Sequence, residues 1–144
     1  MAIRDIIAGL ICDRTQADVD YALSLERSSI HTDEDLRGAY NASDRNRVGG
    51  ALNWLIDAVN IWGFHAKDNW AASDIVRTWD NANTLACLNR LRQVLQSGCE
   101  VPGDLNSLTY KKANAVERSL YDMCSVYMWI ADNTAYCGDG YAGG

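Results

Sequence analysis

Proline and phenylalanine each occur once in 144 residues, histidine twice and glutamate four times. With so little proline and a hydrophobic fraction of 48%, the chain is neither collagen-like nor compositionally disordered. Its length fits one hydrophobic core and leaves little room for a second. It therefore reads as a single helical domain over residues 1–144, with an arm over 1–14, a helical core over 15–134 and a tail over 135–144. Basic residues are also short: 13 Lys plus Arg face 19 Asp plus Glu, a formal charge of -6. That sign opposes a phosphate backbone, so nucleic acid is not an expected partner. The apolar run over residues 6–12 is about a third of the length a bilayer-spanning helix needs, and no membrane span is expected. Only Arg4 is basic ahead of that run, and Asp13 and Arg14 follow it where a leader would place small residues, so a secretory leader is not indicated.

Catalytic patterns are missing too. The five cysteines (Cys12, Cys87, Cys99, Cys124, Cys137) are odd in number and form no CxxC pair, which indicates neither a disulfide framework nor a zinc site. His31 and His65 fall in expected loops, and no spacing pairs either with a particular thiol. HExxH, GxSxG, Walker A and dinucleotide-binding patterns are absent, and Gly138 to Gly140 precede no helix that could receive a phosphate. Few glutamates and no paired-carboxylate motif speak against a cell-wall hydrolase. Asp33 and Asp35 form a DxD pair, but in the first turn of an expected helix such carboxylates serve the helix dipole. The expectation is a chain without catalytic residues, metal or cofactor.

Periodicity, by contrast, is plentiful. Thr15 and Asp18 resemble a capping box and start a helix over 16–28; Thr32 and Asp35 repeat the signal for a short helix over 33–39. Val48, Ala51, Leu52, Leu55, Ile56, Val59 and Trp62 mark an amphipathic helix over 44–62, with Ser43 as N-cap and Gly63 as the left-handed C-terminal residue. Gly49 and Gly50 inside that stripe point to a close backbone approach, read as helix packing. A connection over 65–77 separates it from a helix that starts near Thr78, buries Leu85, Leu88, Leu91 and Leu95, and stops at Ser97 and Gly98. The last helix starts at Thr109, carries Ala113, Val116, Leu120, Met123, Cys124, Tyr127 and Ala131 on one face, and ends at 132–134. The fold class is all-α: a small bundle of three long helices plus a short one. Asn46-x-Val48-x-x-x-Leu52 echoes Asn114-x-Val116-x-x-x-Leu120, which suggests equivalent helices. Asparagine and aspartate abound (15 Asp), as suits caps and turns.

Five tryptophans exceed what a small helical core demands. Packing accounts for Trp62, whereas Trp54 and Trp129 lie off their helices' stripes and Trp70 and Trp79 flank the irregular segment. Rings so placed anchor protein contacts or stack on sugars. The candidate interface residues are Ile6, Ile7, Leu10 and Ile11 of the arm, Trp70 and Trp79, and Tyr136 and Tyr141 of the glycine-rich tail.

Three segments carry a family likeness: DRTQADVDYAL (13–23), GAYNASDRNRVGGALNWL (38–55) and LNSLTYKKANAVERSLYDM (105–123). Together they resemble a small helical module of phage and prophage structural proteins from Gram-positive gut bacteria, over most of the chain from Asp13 onward. The family has a DRT-x-x-DV opening, a YNxxDLNRV helix start, a tryptophan-containing link, an LTYxxAN-x-[IV]E helix and a tyrosine-glycine tail. Arg45 stands where that group has leucine, and residues 1–11, Cys12 and Cys137 are atypical. The resemblance implies a non-enzymatic virion component of the tail or its tip, made in the bacterial cytoplasm, with other virion proteins and copies of itself as partners. It implies no catalytic residues. A carbohydrate-binding module that recognises a surface glycan is the alternative expectation.

Overall fold

The computed structural model describes residues 2–25 and 36–137, with side chains up to residue 133. The described residues are all-helical: α1 (Ile3–Gly9), α2 (Gln16–Ser24), α3 (Ala42–Ala58), α4 (Thr78–Leu95) and α5 (Tyr110–Cys137). Residues 33–35 of the short helix expected over 33–39 lie outside the described residues, and the described part is not helical: 36–38 form a turn.

The starts follow local chemistry. Thr15 accepts the Asp18 N–H at 3.3 Å while Asp18 accepts the Thr15 N–H at 2.8 Å, the reciprocal cap expected for α2. At α3 the cap is Asn41 instead of Ser43. Its Oδ1 accepts the Ser43 and Asp44 N–H groups at 3.0 and 3.3 Å, and Asp44 accepts the Asn41 N–H at 2.9 Å. The signal was Asn41-x-x-Asp44, with aspartate where a capping box usually has glutamate.

The ends differ more from expectation. α3 stops at Ala58 because Asn60 takes φ +58°, donating to Asp57 at 3.2 Å while Ile61 donates to Ile56 at 3.0 Å. This is a Schellman closure on asparagine, ahead of the expected Gly63. Trp62 is thereby carried off the helix and is 83% exposed, a correction to its assignment to the core. Gln96, φ +53°, closes α4 the same way, with Ser97 N–H on the Arg92 carbonyl at 3.1 Å. α5 runs on to Cys137, so Tyr136 and Cys137 are helical and not part of an irregular tail.

The core forms where the stripes placed it. Leu52, Leu55, Leu88, Leu91 and Leu120 are fully buried, each stabilising the fold by about 1.5–3 kcal/mol. Val48, Ala51 and Ile56 join them from α3, and Val116, Met123 and Cys124 from α5.

The three long helices begin at one end of the bundle. Arg47 meets Glu117 near the starts of α3 and α5, and further along Trp54 meets Tyr127 edge-on at 5.5 Å, so α3 and α5 run in the same direction. Asn81, early in α4, donates to the Leu105 carbonyl at 3.3 Å, just ahead of α5. Like-directed helices need return passes, and the irregular segments supply them. Residues 66–70 run back along α3, with Ala66 against Asn53 and Trp70 against Asn46. Residues 100–104 run back along α5, with Glu100 against Ser119 and Asp104 against Lys112. Residues 11–14 do likewise, Ile11 against Glu117 and Arg14 against Asn114.

Gly49 is required by one such pass: a Cβ there would overlap the Lys67 carbonyl. The close approach expected from sequence is real, but its source is the returning chain and not a helix, and a Cβ on Gly50 would meet nothing within 4 Å.

Candidate functional site

The residues that define the three sequence motifs converge. Arg14 from the arm, Asp44 and Arg47 from α3, and Glu117 from α5 form a closed ring of alternating charge. Arg14 Nη2 lies 2.7 Å from Glu117 Oε2 and 3.2 Å from Asp44 Oδ1. Arg47 Nε lies 2.7 Å from Glu117 Oε1, and its Nη2 lies 2.6 Å from Asp44 Oδ1. Arg14, Asp44 and Glu117 are 4%, 6% and 0% exposed. Burying charges is costly unless their donors and acceptors are matched. The three buried ones have further partners: Glu117 also accepts the Ile11 N–H at 3.0 Å, Asp44 the Asn41 N–H, and Arg14 donates to the Ile11 and Arg37 carbonyls at 3.0 and 3.2 Å. Burial works against the Arg47 charge, but Glu117 and then Asp44 outweigh it and raise its pKa above the ordinary value.

Asparagine makes the second recurring device. Asn114 accepts the Arg14 N–H at 3.0 Å and donates to the Arg14 carbonyl at 2.9 Å. Asn46 holds Trp70 identically, at 2.5 and 3.0 Å, and Asn53 holds Ala66 at 2.8 Å both ways. A carboxamide presents a donor beside an acceptor, so it can satisfy both backbone groups of one residue in a segment that has no ladder of its own. The echo at Asn46 and Asn114 thus has a physical content. In each helix the asparagine clamps a returning chain, and the following Val and Leu enter the core.

Tyr40 seals the ring from one side, with the guanidinium carbons of Arg14 and Arg45 at 5.5 and 5.1 Å from its ring centre. Burial first, then Glu117, pushes its phenol pKa well above the ordinary value. A cavity of about 510 Å³ lies outside Tyr40, walled by Gln16, Val19, Leu108, Tyr110 and Lys111 among others.

The ring's carboxylates are engaged with cations and backbone N–H groups. Burial raises the pKa of the Cys12, Cys87 and Cys124 thiols, the last to about 11. Among the described residues no three His, Cys, Asp or Glu side chains are grouped to hold a metal ion, and no helix is long and apolar enough to cross a membrane.

The candidate interface residues scatter. Ile6 is 5% exposed in the core, with Ile7 and Leu10 packed against it and Ile11 half-buried. Trp70 is half-buried under Lys67 and Arg45, at 4.3 and 5.8 Å. Trp79 is 66% exposed, with Arg77 at 5.1 Å. The Tyr136 side chain, all of Tyr141, and His31, Asp33 and Asp35 lie outside the described positions. Sequence reading passed over Arg14, Asp44, Arg47 and Glu117 as functional units, although each sat inside a quoted motif. Further exposed apolar side chains lie past the end of α3, Trp62, and in the later half of α5, Trp129 (66%) and Ile130 (39%).

No protein-family model, no curated protein and no solved structure matches this chain.

Proposed function

We propose that this chain is a non-enzymatic structural or accessory protein of a phage virion, associated with the tail, that acts by assembling with copies of itself and with other virion proteins. The observation that carries the reading is where the motif residues go. Those behind the phage-module likeness are spent on holding the arm and the return passes to the helices, which leaves contact surfaces as the means of action. Exposed apolar side chains supply them: Trp62 past the end of α3, Trp129 and Ile130 in the later half of α5, and Ile75 (73%) and Trp79 near the start of α4. Large rings in contact with water are costly to leave uncovered and strongly favourable to bury against a partner.

Sedimentation equilibrium tests this reading. The expected mass is a multiple of the 15.9 kDa chain, lowered by Trp129→Ser. A monomer at all concentrations would overturn self-assembly. Mass spectrometry of purified particles from an induced lysogen tests the virion assignment, which fails if the chain is absent from them.

The exposure of Trp79 favours one second reading, a surface-glycan-binding module. Glycan-array binding lost in Trp79→Ala would support it; silence across a broad array would remove it. Trp70, whose ring is covered by two cations, is the weaker sugar platform.

A further inference from the structure

Arg45 is half-buried, yet its guanidinium forms no ion pair and no hydrogen bond with the described residues. What it has instead is two aromatic rings, Tyr40 at 5.1 Å and Trp70 at 5.8 Å. Rings attract a guanidinium through their faces and leave its in-plane N–H donors unanswered. Those donors border a cavity of about 180 Å³ lined by Tyr40, Asn41, Arg45, Trp70, Asp74 and Val76.

We propose that this cavity is a binding site for a carboxylate group, taken by the free edge of Arg45. A planar fork of N–H donors matches the two oxygens of a carboxylate, and the flanking rings fix the fork's orientation before the ligand arrives. The wall also explains why a singly charged group suits it better than a phosphate. Asp74 is part of it, held by the Ala71 N–H at 2.8 Å and by Lys67 at 3.4 Å, and Asp80 lines the small neighbouring cavity. Two fixed carboxylates so near would repel a dianion more than a monoanion. The volume admits a short acidic side chain or a small organic acid, and both present the same headgroup. The site stands independently of the virion reading.

The test follows the Trp70 indole N–H resonance, assigned with Trp70→Phe, during titration at constant ionic strength. The probes are glutarate, the tripeptide Gly-Glu-Gly with blocked ends, and inorganic phosphate. The expected result is a saturable shift with glutarate or the peptide, about tenfold weaker with phosphate. A response to the peptide alone places the carboxylate on a protein partner, and a response to glutarate places it on a small acid. The shift should vanish in Arg45→Gln, weaken in Arg45→Lys, and survive in Arg118→Gln, an exposed arginine beside Tyr121. If Arg45→Gln unfolds, as read by circular dichroism, Arg45→Lys alone decides. No saturable shift, equal binding of phosphate, or undiminished binding in the Arg45 variants would overturn the proposal.

Discussion

The two ends of the α3/α5 pair are built on opposite principles. At the start, four charges, an asparagine clamp and a capping box leave hardly a polar atom unmatched, and three separate stretches of sequence are tied together. At the finish the described residues show no comparable network; α3 closes on left-handed Asn60 and tryptophans stand in solvent. The polar end is demanding: removing any member strands the others in a low-dielectric interior. The apolar end is permissive and gains only when something covers it. The difference separates residues that specify this fold from those that remain available to partners.

The comparison breaks most visibly at Glu117. Glu117→Ala leaves buried Arg14 and half-buried Arg47 without one of their two anions, an expected loss of about 3–5 kcal/mol in urea unfolding. Trp62→Ser at the other end should change stability by less than about 0.5 kcal/mol. Comparable losses at both sites would erase the distinction drawn here. Asn114→Ala removes both hydrogen bonds to the Arg14 backbone, with an expected cost of about 2 kcal/mol by the same measurement.

A smaller effect of opposite sign comes from Gln96, an exposed residue in a conformation that disfavours a side chain. Gln96→Gly should stabilise by about 1 kcal/mol, seen as a higher urea midpoint at unchanged slope. Smallest is the acid limb. The Asp18 pKa is lowered, chiefly by the Thr15 N–H, so its contribution is present above the unfolded carboxylate value of about 3.9 and is lost as pH falls through the lower folded value. Asp18→Asn should flatten the stability profile in that acid window and leave its shape near neutrality unchanged.

What was legible in the sequence divides along the same line. The stripes of α3, α4 and α5 named nearly all of the core, because a sustained helical period has one simple interpretation. Gly49 announced a close approach, though not its source. The charge ring was illegible because Arg14, Asp44, Arg47 and Glu117 look like ordinary solvated charges until the arm and both helices are superposed. The helix ends misled for a different reason: glycine is the usual left-handed residue, and Asn60 and Gln96 were recruited where tertiary packing fixed the stopping point. Arg45 was visible in the sequence only as a departure from the resembled group's leucine, since its lack of a counterion is a property of three dimensions.

The central claim is that side chains, and not secondary structure, hold the irregular segments in place. Amide hydrogen exchange at Ile11, Arg14, Ala66 and Trp70 tests it most directly, because these N–H groups donate to Glu117, Asn114, Asn53 and Asn46 outside any helix. The account predicts protection approaching that of the α3 core amides, lost selectively at Arg14 in Asn114→Ala. Exchange at these four sites as fast as in unstructured peptides would contradict it.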